Sequence, residues 1–219
     1  MEDFKLSSTR VFEDGCAMIA GALGASSSLR RLDLSDNSMG PEKGARTLAQ
    51  TLSKQSQLDT LILHDCALED EGIEHITNAL GNAKALRVLD LASNDVTSDG
   101  AEHIVSLIEK LPALETLIVS ENDIGNDGIK TIAFSLLACK TLKRLELNFV
   151  EITTSTALFV AKVVKTLPSF EQLQINGNAG TEKGLATLSE LLPGDLLGDM
   201  EDNDEEGVRA LLYGLPYIV

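Results

Sequence analysis

The chain has 219 residues and a formal charge of −16, set by 34 acidic against 18 basic residues. A surface of that sign repels phosphate backbones and anionic lipid, which excludes nucleic acid and membrane insertion from the first choices and favours encounter with basic proteins. With no Trp and only 4% aromatic residues, the core must be built from Leu, Ile, Val and Ala.

Taken in chain order, the predicted elements repeat. A clipped first unit carries Phe4, Leu6 and Thr9, then Gly15 followed at +4 and +8 by Ile19 and Leu23. The second, SLRRLDLSDN, places Leu29, Leu32, Leu34 and Asn37 in an L-x-x-L-x-L-x-x-N pattern, then Gly44, Leu48 and Leu52. A third follows with Leu58, Leu61, Leu63 and Cys66, then Gly72, Ile76 and Leu80; Cys stands where Asn is usual. Leu86, Leu89, Leu91 and Asn94 lead to Gly100, Ile104 and Ile108, and Leu114, Leu117, Val119 and Asn122 lead to Gly128, Ile132 and Leu136. The sixth unit keeps Leu142, Leu145 and Leu147 but has Val150 for the Asn and Thr156 for the Gly. In the seventh, Phe170, Leu173, Ile175 and Asn178 precede Gly184, Leu188 and Leu192. One step is 29 residues and the others are 28.

The Leu-x-Leu alternation has the period of a strand, and the +4, +8 spacing marks one face of a helix of about three turns. A repeat of that length and pattern predicts an α/β leucine-rich-repeat solenoid, a ribonuclease-inhibitor-like horseshoe with parallel strands on the concave face and helices on the convex face. The Asn column is expected to bond backbone groups in adjacent turns. Residues 1–219 read as a single domain, with about seven repeats over 1–194 and an abbreviated acidic closing unit over 195–219. Within that unit Met200 and Asn203 stand in the strand and Asn places, and Gly207, Leu211 and Leu215 repeat the helical spacing. At the other end no polar cap precedes Phe4 and Leu6, so the chain reads as a fragment or as relying on an upstream segment.

Little in the sequence points to catalysis. No phosphate-binding glycine motif and no nucleophile–base grouping occurs, so no cofactor and no enzymatic role are expected. His75 and His103 are one repeat apart on helices and read as surface residues rather than a metal pair, while His64 lies on the open strand face. Cys16, Cys66 and Cys139 show no C-x-x-C spacing, and no basic n-region with an apolar run opens the chain. A reducing, cytoplasmic setting and a monomer are the expectations.

The strand positions not used for packing tile the concave face. One column holds Asp33, Ile62, Asp90, Ile118, Glu146 and Gln174; the next holds Ser35, His64, Ala92, Ser120, Asn148 and Asn176. Just beyond lie Asp36, Asp65, Ser93, Glu121, Phe149 and Gly177. Acids around a few apolar anchors suit a partner with a basic patch. The candidate contact residues are Asp33, Ser35, Asp36, Ile62, His64, Asp65, Asp90, Ile118, Glu121, Glu146, Asn148 and Gln174.

In register, the chain resembles the Ran GTPase-activating protein family in its plant and algal form. The likeness runs from DFKLSSTRVFEDG through LRRLDLSDNSMGPEKG and LETLIVSENDIGNDG to FEQLQINGNAGTEKG and LGDMEDNDEEG. Its more specific phrases are SSTR at Ser7–Arg10, INGN at Ile175–Asn178 and EDNDEEG at Glu201–Gly207. The resemblance implies a regulator that docks on the switch regions of the GTPase, whose own glutamine orients the attacking water. It implies a cytoplasmic location, at the nuclear envelope in part of the family, and a Ran-type GTPase as partner. It covers the family's later repeats; the Gly-Arg loop of the early repeats has no counterpart here, and Arg10 does not inherit its role. A leucine-rich-repeat scaffold for another protein, with no effect on GTP hydrolysis, is the alternative.

Overall fold

A computed structural model describes residues 1–203. Seven three-residue strands form one parallel sheet in sequence order: β1 (Asp3–Lys5), β2 (Arg31–Asp33), β3 (Thr60–Ile62), β4 (Val88–Asp90), β5 (Thr116–Ile118), β6 (Arg144–Glu146) and β7 (Gln172–Gln174). Their register is the sequence repeat itself. Phe4, Leu32, Leu61, Leu89, Leu117, Leu145 and Leu173 pair in a continuous row. Those central leucines are almost entirely inaccessible, each stabilising the fold by about 2 kcal/mol through burial.

Between strands run seven helices: α1 (Glu13–Leu23), α2 (Ala45–Leu52), α3 (Glu69–Ala79), α4 (Ser98–Ile108), α5 (Gly125–Ser135), α6 (Thr154–Val164) and α7 (Glu182–Leu191). A π-helical turn, Gly40–Gly44, leads directly into α2. Their +4 and +8 residues point inward, with Leu48, Ile76, Ile104, Ile132 and Leu188 fully buried. Helices pack about 8–10 Å apart while paired strands lie roughly 4.8 Å apart, so a stack of these units must curve with its strands inside. This is the leucine-rich-repeat architecture that the period predicts.

Asparagine closes the turns after β2, β4, β5 and β7. Asn122 Nδ2 donates to the carbonyls of Leu91, Val119 and Ser120, while its Oδ1 accepts from the backbone N–H of Asn94 and Val96. Asn94 and Asn178 do the same in their own turns. Where Cys66 replaces the Asn, its thiol reaches only the carbonyls of Leu34 and His64, and the N–H groups of Asn37 and Met39 turn to the carbonyls of Asp65 and Cys66. Past β7, Leu197 bridges Leu173, and Asn203 Oδ1 accepts from Asn178 N–H. The helix expected from Gly207, Leu211 and Leu215 lies outside the described residues.

The glycine opening each helix has a packing reason, clearest at Gly100. A Cβ there would sit 2.2 Å from Asp70 Oδ1, and that carboxylate is accepting bonds from Thr97 N–H and Thr97 Oγ1 at the start of α4. One repeat thus caps the next helix across the space the glycine leaves. In the sixth unit Thr156 replaces the glycine and adds its own bond to the cap, donating to Asn126 Oδ1 at 2.6 Å beside Thr153.

Candidate functional site

The concave face is built by the strand residues on either side of the buried leucine row. The row Lys5–Asp33–Ile62–Asp90–Ile118–Glu146–Gln174 crosses the whole sheet in register. The strands bring together the residues expected there, but not all on open surface. Asp33 is a correction: it is 2% exposed, covered by Lys5, whose Nζ lies 2.7 Å away. Ser35 donates to the same carboxylate from Oγ and from its backbone N–H. Burial pushes the Asp33 carboxyl up, but the Lys5 and Ser35 bonds outweigh it and hold it below the usual range. Asp33 is therefore already satisfied internally.

Ile62 and Ile118, expected as exposed anchors, are half-buried between neighbouring strands. Asp90, also half-buried, has no salt-bridge partner among the described residues and accepts from Ala92 N–H. Burial raises its carboxyl, Asp33 adds to the rise, and the Ala92 bond and His64 oppose it. In the second column Ala92 and Ser120 are buried, and His64, Asn148 and Asn176 are half-buried. Asn148 is tied into the backbone, its N–H on Ser120 Oγ and its Oδ1 accepting from Asn176 N–H. Glu146 takes Arg144 Nε at 2.7 Å on its own strand, and Gln174 is half-buried.

The open chemistry lies one step further along, at the ends of the strands. Asp36, Asp65 and Glu121 are exposed, and they are joined by exposed Asp95, Asp123 and Glu151. None of these six carboxylates forms a salt bridge among the described residues; Glu121 accepts a single bond from Ser93 Oγ at 2.7 Å. Asp36, Asp65, Ser93, Glu121 and Phe149 all adopt φ near +50°, the left-handed turn that throws each side chain outward from the rim. Two clefts open on this rim, one by Arg10, Phe12, Asp36 and Asp65, the other by Glu121, Asp123, Phe149 and Glu151. Asp95, Asp123 and Glu151 were missed from sequence because they lie after the Asn, outside the strand columns; their phase in the repeat could have found them.

A second line of charge, also unread in the sequence, runs along the opposite edge. Glu2, Arg30, Asp59, Arg87, Glu115, Lys143 and Glu171 succeed one another through backbone hydrogen bonds, and their sign alternates at every rung. Arg87 reaches Glu115 at 2.7 Å and Asp59 at 3.9 Å, Lys143 reaches Glu115 at 2.9 Å, and Arg30 reaches Glu2 at 3.5 Å. The Glu115 carboxyl is held below its usual range by Lys143 first and by Arg87.

Among the described residues no group of three or more His, Cys, Asp or Glu side chains could hold a metal ion, and no helix is long and apolar enough to cross a membrane. His75 faces Glu71, with Nε2 3.6 Å from Oε1. Cys16, Cys66 and Cys139 are free and buried. Burial pushes the Cys66 thiol up to about 12, which leaves it protonated and unreactive in the folded chain.

Comparison with known proteins agrees with this architecture. A family model described as Leucine Rich repeat matches residues 25–49, 84–105 and 110–133. Pig (Sus scrofa) ribonuclease inhibitor is 35% identical over 95 residues, which is 43% of this chain and 21% of that protein. NACHT, LRR and PYD domains-containing protein 4C of Mus musculus is 23% identical over 194 residues, 88% of this chain and 17% of that protein. The matched segments are thus about a fifth of those relatives' length. Among solved structures, a tropomodulin C-terminal domain of Caenorhabditis elegans superposes with a TM-score of 0.58 at 17% identity, covering 78% of this chain and 99% of that one. Leiomodin-1 Actin-Binding Site 2 superposes with a TM-score of 0.56 at 20% identity, covering 66% and 84%. The chain is a leucine-rich-repeat protein in fold.

Proposed function

We propose that this chain is a protein-recognition scaffold whose strand-end rim receives a basic surface of a folded partner. One observation carries the reading: six exposed carboxylates line the rim of a preformed concave sheet with no cationic partner among the described residues. Keeping them close together unneutralised costs stability through self-repulsion. A basic partner relieves that repulsion and is steered toward the rim as it approaches. The sheet behind the rim is rigid, with its Asn side chains fixed by backbone bonds, so a partner meets a surface that needs little ordering on association. The repeats act together as one recognition domain in this reading.

The finer proposal names the partner as a Ran-type GTPase and the role as regulation of GTP hydrolysis. It is favoured by the SSTR, INGN and EDNDEEG phrases, and a cytoplasmic site of action goes with it. The chain carries no catalytic grouping of its own in this scheme; it would act by fixing the partner's own machinery. Single-turnover hydrolysis of GTP on Ran, with and without the chain, tests it. Acceleration that is lost at high salt supports the GTPase reading. No acceleration and no binding at high micromolar chain overturns that reading and leaves the scaffold without a GTPase role.

A further inference from the structure

Acidic and aromatic surface meet in both clefts of the rim, and at the one beside Phe149 no cation of the chain takes part. Phe149 is 49% exposed and stands in the left-handed region at φ +51°, a conformation that disfavours a bulky side chain by about 1–2 kcal/mol. Its ring lies over the next rung, Gly177: a Cβ there would come within 2.1 Å of Phe149 Cε1. Glycine at that rung is therefore what leaves room for the ring, which lines a cleft of about 300 Å³. Glu121, Asp123 and Glu151 also line the cleft, and none of them pairs with a cation among the described residues.

The neighbouring repeats make the contrast plain. At the Phe149 place they carry Asp36, Asp65, Ser93 and Glu121, polar residues that tolerate the same turn. Repeat six alone places an aromatic there, and its next rung alone places a glycine there. The other cleft on the rim also has an aromatic, Phe12, but Arg10 stands on its wall beside Asp36 and Asp65, so a cation of the chain already shares it. The Phe149 cleft has no such residue.

We propose that the Phe149 cleft is a receptor for one arginine side chain of the protein partner. The guanidinium stacks on the Phe149 ring, which attracts it through the ring quadrupole, while Glu121, Asp123 and Glu151 neutralise its charge from the surrounding wall. Arginine fits better than lysine because its planar, weakly hydrated head can stack on a ring and meet carboxylates at the same time. The proposal rests on the rim reading above and names the point on the rim where an anchor residue inserts.

The test uses the whole chain, labelled with ¹⁵N, titrated with a short blocked glycine-flanked peptide bearing one arginine; a peptide with citrulline in its place is the neutral control. Saturable shifts centred on the amides of Phe149, Glu151 and Gly177, given by arginine and not by citrulline, support the cleft. Phe149→Leu keeps the apolar contact and removes the ring, and should weaken that binding about fivefold with the far-ultraviolet circular dichroism unchanged. Shifts of equal size at Asp36 and Asp65, or shifts that Phe149→Leu leaves unaltered, overturn the cleft while the rim reading stands. No shift anywhere along the rim at low salt overturns both.

Discussion

The two edges of the sheet are both lined with charge, and they are built on opposite plans. Along the edge where chains enter the strands, Glu2, Arg30, Asp59, Arg87, Glu115, Lys143 and Glu171 alternate in sign, and all but Glu171 pair with a neighbouring rung. At the edge where strands end, Asp36, Asp65, Asp95, Glu121, Asp123 and Glu151 share one sign and form no salt bridge among the described residues. A repeat protein stacks like positions on like, so a run of equal charge is the default outcome and alternation has to be written in residue by residue. The first edge uses its charge on itself. The second presents it to solvent, over turns that buried asparagines lock in place.

Those asparagines give the largest expected effect. Asn122→Ala removes a donor serving three carbonyls and an acceptor serving two N–H groups, all internal. Leaving several of these unpaired should cost about 2–4 kcal/mol of stability, measured as a lowered urea midpoint. Array-wide loss of cooperativity would show that the rim turns hold the whole stack; a change under about 0.5 kcal/mol would mean that water replaces the side chain and that the rim is not rigid.

Next in size is a reversal on the compensated edge. Glu115→Lys deletes the contacts to Arg87 and Lys143 and sets three cations in a row. Both partners are about half exposed, so solvent screens the loss, and the cost should be about 1 kcal/mol. The comparison predicts that this variant leaves association with a basic partner intact, or slows it only slightly through the reduced net negative charge. Asp123→Lys on the other edge should do the reverse, leaving the urea midpoint nearly unchanged or raised while slowing association. If both variants affect binding equally, the division between the edges fails.

How far the sequence reveals these edges depends on how far apart the interacting atoms lie in the chain. The strand register was fully legible, because a period of 28 residues, 29 at one step, sets which residue of the central row pairs with which, and the observed partners follow it. The asparagine turns were legible for the same reason. Asp33 was not, because its burial comes from Lys5, a residue of the clipped first unit whose side chain folds across to the next strand. The alternating ladder was present in the sequence at constant phase, but its residues precede the strand pattern that the concave columns were drawn from. Phe149 was visible as the single aromatic of its column, whereas its dependence on Gly177 is a contact across 28 residues that no local pattern carries.

The smallest effect expected is on the floor between the two edges, and it separates them by pH. Asp90 is raised by burial and by Asp33, against the Ala92 bond and His64, so it holds its proton more readily folded than unfolded. A carboxyl shifted in that sense contributes stability below its ordinary value of 3.8, and the contribution is lost as pH rises through the raised folded value. At neutral pH the ionised, half-buried Asp90 therefore weakens the fold. Asp33 and Glu115 are shifted the other way; their stabilisation is present above their ordinary values and lost as pH falls through the lowered folded ones. Asp90→Asn should thus raise the melting temperature slightly at neutral pH, and the gain should fade toward acid, where the native carboxyl is itself protonated. A gain that persists unchanged in acid would come from packing of the amide rather than from charge, and the floor would then carry no electrostatic strain for a basic partner to relieve.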